Sequence, residues 1–169
     1  GSCRGWSSAA SDVYKGQESS IKVFETAIAI DSSFAIAQTN IAYAYLSVGR
    51  IKDGLTAIEW RWENSNLENS YRDYPASPWN GSQDLSEKTF LLWPEQGPQD
   101  VIIWASVIPK LAAKAMHTIV EINPKLVPLF ERSFPNVEIR EGKIPPSLNS
   151  KGFDLHLPMG SLFLHFIED

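Results

Sequence analysis

Between Ser20 and Trp62 the apolar positions recur every three or four residues. Phe24, Ala27, Ile28 and Ile30 form one stripe, which Asp31-Ser32-Ser33 interrupts. Ala37, Ile41, Ala44, Tyr45 and Val48 form a second, closed by Gly49, a residue that accepts the left-handed backbone angles of a helix end. Leu55, Ile58 and Trp62 mark a third. All three spacings predict helices. From residue 89 the period changes. Thr89-Phe90-Leu91-Leu92-Trp93 is a short, β-prone, apolar run, the pattern of a strand buried on both faces. Residues 117–122, 137–140 and 153–157 predict three more strands. Helical stretches separate them: one from about Val101 to Lys114, with Ile102, Ala105, Ile108 and Ala112 inward, and one begun by Pro124, with Leu126, Leu129 and Phe130. Residues 162–167 begin another helix. Such alternation predicts a parallel sheet with right-handed crossovers and strand order 3-2-1-4.

The helical half carries an internal echo. A shift of 34 positions, the tetratricopeptide period, lays Ser20 on Gly54, Phe24 on Ile58 and Ile28 on Trp62, small on small and large on large. The helix pair at 35–62 resembles one such repeat, with Ala42 and Tyr45 in its first helix and Gly49, Ile51 and Gly54 leading into the second. Small residues at these positions let paired helices approach closely. In the preceding stretch Ser8 and Ser11 stand where a small residue and an aromatic are usual, so a frayed or misaligned first helix is expected there. About three repeats are needed for stability. Fewer than two are visible, so the array is either cut or leans on the second half of the chain.

Residues 64–88 break both patterns. Asn64-Ser65-Asn66, Asn69-Ser70, Pro75, Pro78 and Asn80-Gly81-Ser82 are turn formers, spread over a stretch far longer than the usual connection of about 4 to 6 residues. Tyr71, Tyr74 and Trp79 argue against a free linker and predict an ordered loop packed on the second half. Asn80-Gly81-Ser82 also fits the glycosylation acceptor pattern, set aside because no secretory signal is seen. All eleven prolines fall after residue 74, a second sign of two architectures in one chain. The expected division is tetratricopeptide-like helices at 3–63, an ordered connecting loop at 64–88 and a partial Rossmann-like domain at 89–169. The fold class is α/β: helical hairpins followed by a four-stranded parallel half domain. A doubly wound domain usually has six strands, so the chain is expected to be a fragment.

Composition narrows the function. The 169 residues are 43% apolar, enough for one medium domain or two small ones. Fifteen Lys and Arg against twenty Asp and Glu give a net charge of −5, and no basic block exists, which excludes a nucleic-acid backbone as main partner. No stretch approaches the roughly 18 to 20 apolar residues of a membrane span, so a soluble, cytoplasmic chain is expected. A single cysteine, Cys3, excludes an internal disulfide and a thiolate-rich metal site. His117 and His165 lack partners at metal-ligand spacing. No metal and no cofactor are expected. Nor is there a Ser-His-Asp set, a phosphate-cradling glycine loop or a catalytic carboxylate pair, which sets aside hydrolase, kinase and redox readings.

Four motifs remain: Glu59-Trp60-Arg61-Trp62-Glu63, Pro78-Trp79-Asn80-Gly81-Ser82, Glu95-Gln96-Gly97-Pro98-Gln99-Asp100 and Phe153-Asp154-Leu155-His156-Leu157-Pro158. In order and spacing they resemble bacterial tetratricopeptide proteins that end in a heptosyltransferase-like glycosyltransferase, and the resemblance covers nearly all of the chain from Ser20. It implies two Rossmann-like domains in the parent, the acceptor sugar or glycoconjugate on the first and the nucleotide-sugar donor mainly on the second. Only the first is expected here, inactive alone. The resemblance also implies that Asp100 is the base on the acceptor hydroxyl, while Gln99 stands where the family has glycine. Read from its residues alone, Asp100 is equally a helix N-cap. Glu95, Gln96 and Gly97 lie at the first strand's carboxyl end, against acceptor hydroxyls or as a solvated loop. His156 either contacts acceptor or is satisfied internally. Trp60 and Trp79 either stack on sugar rings or serve packing. The alternative function is a non-catalytic module whose helices bind a protein partner and whose transferase domain is a degenerate scaffold.

Overall fold

The computed structural model describes residues 4–63, 71–72, 74–95, 97–142 and 152–167, with side chains from residue 16 onward. The chain divides into two compact units, residues 1–69 and 70–168. The boundary falls inside the stretch expected to be a connecting loop, and residues 74–88 are built into the second unit.

The first unit is helical. Helix α1, Arg4–Ile30, is one continuous helix where the sequence suggested a frayed or misaligned one. Nothing in that stretch stops a helix: there is no proline, Gly5 lies in the first turn, and Gly16 in the interior costs only about 1 kcal/mol relative to alanine. Asp31 ends it, its Oδ1 accepting from the Ser33 N–H at 2.9 Å and from Ser33 Oγ at 2.7 Å. Helix α2, Ala35–Ser47, buries Ala37, Ile41 and Ala42. Gly49, at φ +81°, turns the chain, as its place after the second apolar stripe predicts. Helix α3, Ile51–Ala57, then tightens into a 3-10 turn over Ile58–Trp62. Gly54 is what lets α3 lie against α2: a Cβ there would stand 2.6 Å from Leu46 Cγ and 3.0 Å from the Ala42 carbonyl oxygen.

The second unit is a parallel sheet with helices. Its strands are β1 Ser77–Pro78, β2 Thr89–Trp93, β3 His117–Ile122, β4 Glu138–Glu141 and β5 Leu155–Pro158, in the order β1-β5-β2-β3-β4. Every pairing is parallel: Leu91 lies opposite Ile119 and His156, and Ile122 opposite Glu141. The four expected strands are present, and β1 makes a fifth. It escapes sequence reading because it is two residues long and contains proline, which an edge strand tolerates. The last strand begins at Leu155, because Asp154 before it closes the pairing, its Oδ2 accepting from the Thr89 N–H at 2.8 Å.

The expected helix over 101–114 is broken into α4 (Pro98–Trp104), a 3-10 turn (Ala105–Val107) and α5 (Ile108–Ala112). Pro109 is the cause, since it has no N–H to return to the Ala105 carbonyl and its ring crowds that group. After β3, Asn123 Oδ1 accepts from the Lys125 N–H at 3.0 Å and caps a 3-10 turn that leads into α6 (Val127–Ser133). Helix α7 is short, Met159–Leu162. The core gathers Phe90 and Leu92 of β2, Val120 and Ile122 of β3 and Leu155 and Leu157 of β5 with Ile108, Leu111, Phe130 and Leu162 of the helices, and Trp79 and Leu85 from the segment before β2. Among the described residues no helix is long and apolar enough to cross a membrane.

The glycines give opposite expectations. Gly54→Val is expected to lower the stability of the first unit by about 1 to 3 kcal/mol through overpacking. Gly16→Ala, with nothing within 4 Å of the added carbon, should raise it by about 0.5 to 1 kcal/mol. Thermal unfolding followed by circular dichroism measures both, and a neutral Gly54→Val would show that close helix approach is not what position 54 supplies.

Candidate functional site

In a parallel sheet all strands present their carboxyl ends to one edge, and ligands bind where the strand order reverses. Here β3 and β4 lie to one side of β2 and β5 lies to the other, so the reversal falls between Trp93, the last residue of β2, and its partner Pro158.

The loop after β2 is tied down at this place. Glu95 Oε1 accepts from the Gly160 N–H at 2.7 Å, joining the loop to the first turn of α7. The carbonyl oxygen of Pro94 accepts from Arg72 Nη2 at 3.4 Å. Gly97, at φ −67° and ψ 170°, is the N-cap of α4, and Pro98 occupies the first helical turn. Asp100 therefore sits two positions further into the helix than Pro98 and is not its N-cap. Its charge still faces the positive end of the helix dipole. Among the described residues it accepts no hydrogen bond, and it is half-buried. Gln99 lies in the same turn. Gln96 lies outside the described residues.

His156 lies inside the sheet, 1% exposed. Its Nδ1 accepts from the Trp93 Nε1–H at 3.1 Å; because an indole N–H only donates, the neutral ring carries its proton on Nε2. Tyr74 packs edge-on against it with centroids 5.0 Å apart, and Phe153 stands at 6.3 Å. Of the two readings of this histidine, the arrangement is that of an internally satisfied one. Trp79 is equally a packing residue: it is 5% exposed, stacks near His165 and Phe166, and donates from Nε1 to the Gln83 carbonyl at 3.1 Å. Trp60 is half-buried in the first unit.

The densest polar group at this edge is one that no sequence motif marks. Arg72 Nη1 meets Glu121 Oε1, near the end of β3, at 2.5 Å, and also donates to the Tyr74 hydroxyl at 3.0 Å. Its guanidinium carbon stands 5.0 Å from the centre of the Trp93 ring. Both charged side chains are nearly buried, 12% and 10% exposed. Burial pushes the phenol of Tyr74 above its ordinary range, and the hydrogen bond from Arg72 opposes the shift. The signal in the sequence is Glu121 itself, one carboxylate in an otherwise apolar half-strand that has to find a partner. Among the described residues no cluster of His, Cys, Asp and Glu could hold a metal ion.

The second unit is thus a parallel α/β sheet with a nearly buried ion pair, Arg72 and Glu121, close to its carboxyl edge. No protein-family model and no solved structure matches the chain. Protein FlbA of Caulobacter vibrioides is 31% identical to it over 108 residues, which is 62% of this chain and 18% of that protein. The chain therefore spans less than a fifth of the length of that relative.

Truncating one member of the buried pair strands the other. Glu121→Ala and Arg72→Ala are each expected to cost about 3 to 5 kcal/mol, whereas the joint replacement Arg72→Met with Glu121→Leu should recover most of the loss. Urea unfolding of the three variants checks this, and additive losses in the double variant would mean that the pair is not coupled.

Proposed function

We propose that the chain is the repeat tail and acceptor-side domain of a nucleotide-sugar-dependent glycosyltransferase of the heptosyltransferase-like kind. In this reading the first unit is tetratricopeptide-like and the second is one Rossmann-like half. The observation that carries it is Asp100: a half-buried carboxylate with no hydrogen bond among the described residues, in the first turn of α4 beside the strand-order reversal. Transfer to a hydroxyl needs a base within reach of that proton, and a carboxylate without a hydrogen bond at the ligand edge of the sheet supports this reading. Glu95 and Gly97 frame the loop, Glu95 as the tie to α7 and Gly97 as the cap of α4. The donor diphosphate belongs to a second domain, so these 169 residues hold acceptor and transfer nothing by themselves.

The alternative is a non-catalytic module in which the helices bind a protein partner and the sheet is a scaffold. One observation favours it: Arg72 and Glu95, the other charged groups of the edge, are occupied by internal partners.

Asp100→Asn in the full-length parent separates the readings. A lost general base is expected to lower turnover by about 10² to 10⁴, while the melting temperature should fall only slightly, since the carboxylate–dipole attraction is worth about 0.3 to 1 kcal/mol. Wild-type turnover in that variant would remove Asp100 from the chemistry. Sugar transfer by residues 1–169 alone would overturn the assignment of the donor to another domain.

A further inference from the structure

Two cations meet at one cavity where the chain leaves α5. Lys110 and Lys114 are both exposed, and with Ala113, His165, Phe166 and Ile167 they line a space of about 400 Å³. Lysines at a helix end ordinarily serve its last carbonyls and its dipole. Here both ammoniums turn to one residue distant in the sequence. Lys110 Nζ donates to the Phe166 carbonyl at 3.4 Å, and Lys114 Nζ stands 5.3 Å from the centre of the buried Phe166 ring. Like charges brought together in this way repel, and an anion between them removes the repulsion.

The surroundings decide which anion. Among the described residues no carboxylate lines the cavity and neither lysine forms an ion pair. The acidic side chains of this unit that have partners find them elsewhere: Glu95 on the Gly160 N–H, Glu121 on Arg72, Glu138 on His117 and Arg140, and Asp154 on the Thr89 N–H. An ammonium is a compact point charge that suits phosphate, whereas the planar fork of arginine is the better match for a carboxylate. The rest of the lining is largely apolar. Ala113 also lines an adjoining space of about 300 Å³, walled by Phe134, Pro135 and Val137. A bare phosphate would leave these walls in water; a phosphate ester with an apolar group covers them.

We propose that Lys110 and Lys114 hold the phosphate of an ester whose apolar group lies against Ala113 and Phe166. The site is toward the amino edge of the sheet, because β3 begins at His117, just after Lys114, whereas Asp100 stands at the carboxyl edge. It is therefore separate from the proposed acceptor site and does not rest on the glycosyltransferase reading.

The test titrates the isotope-labelled chain with phenyl phosphate, inorganic phosphate and phenol, following the Ala113, Lys114, Phe166 and Ile167 amides by NMR. Two ammonium contacts to a small ligand correspond to millimolar binding, so the titration runs to about 20 mM. The expected result is a saturable shift with phenyl phosphate, a weaker one with inorganic phosphate and none with phenol. Lys110→Gln with Lys114→Gln should weaken the binding about tenfold or more, the loss expected for charge-assisted contacts. Lys110→Arg with Lys114→Arg should retain it and melt as the wild type does. Co-sedimentation with phosphatidylcholine vesicles, with and without phosphatidic acid, identifies the source: capture by the acidic vesicles alongside phenyl phosphate binding makes the ester a lipid headgroup, and phenyl phosphate binding without capture makes it a soluble ester. No saturable shift with phenyl phosphate, equal binding in the glutamine pair, or phenol binding as tightly as phenyl phosphate would overturn the proposal. So would a shift seen only in Glu168→Gln with Asp169→Asn, because the lysines would then serve the acidic residues that follow Ile167 in the chain.

Discussion

The second unit is organised around one buried charge. Glu121 sits one residue from the end of β3, in a strand otherwise covered on both faces, and a carboxylate there is tolerable only if a cation reaches it. Arg72 does so from the segment ahead of β1, and in reaching Glu121 it also binds Tyr74, holds the Pro94 carbonyl and lies over Trp93. The pair therefore pins the chain that enters the unit to the ends of its two central strands. The neighbouring backbone is fitted to it: a Cβ on Gly142, just past β4, would stand 3.3 Å from Glu121 Oε1 and 3.1 Å from the Ile122 carbonyl oxygen. A side chain at 142 would press on the carboxylate that Arg72 needs.

That arrangement explains why the candidate site is quiet electrostatically. Open α/β sheets commonly leave N–H groups and cations at the strand-order reversal for an anionic ligand. Here the Gly160 N–H receives Glu95 and the guanidinium receives Glu121, so the stabilising electrostatics are spent on the fold. Asp100, in the first turn of α4, accepts no hydrogen bond among the described residues, and a carboxylate suits hydroxyl groups better than phosphates. The division of labour in the proposed enzyme has the same form, with the charged donor kept away from this sheet.

The alternation of apolar runs and helical stretches makes the parallel sheet legible, down to the neighbours of β2, because a fully buried strand has to be written in apolar residues. Gly49 and Gly54 are legible for a related reason: a left-handed turn and a close helix contact each restrict the residue to almost one choice. The rest escapes where the deciding interaction is distant in sequence. Arg72 and Glu121 are joined by nothing in their local pattern. β1 exists only because β5 offers it an edge, and the break in the helix after β2 depends on Pro109 outweighing a stripe that reads as continuous. Asp100 is legible by its place after the first strand, but the N-cap expected of it belongs to Gly97, which has no side chain to signal a cap.

The residue that departs from the resemblance can be weighed in the same terms. Glycine at 99 would matter if the loop needed left-handed angles there, or if a ligand had to approach the backbone closely. Position 99 lies in the first turn of α4, where ordinary helical angles suit every residue and glycine is disfavoured by up to about 1 kcal/mol relative to alanine. The turn into the helix is made at Gly97, with φ at −67°, an angle open to every residue. Glutamine at 99 therefore leaves the loop its shape and strengthens the helix that carries Asp100. Its cost falls only on ligand approach to the backbone of that turn.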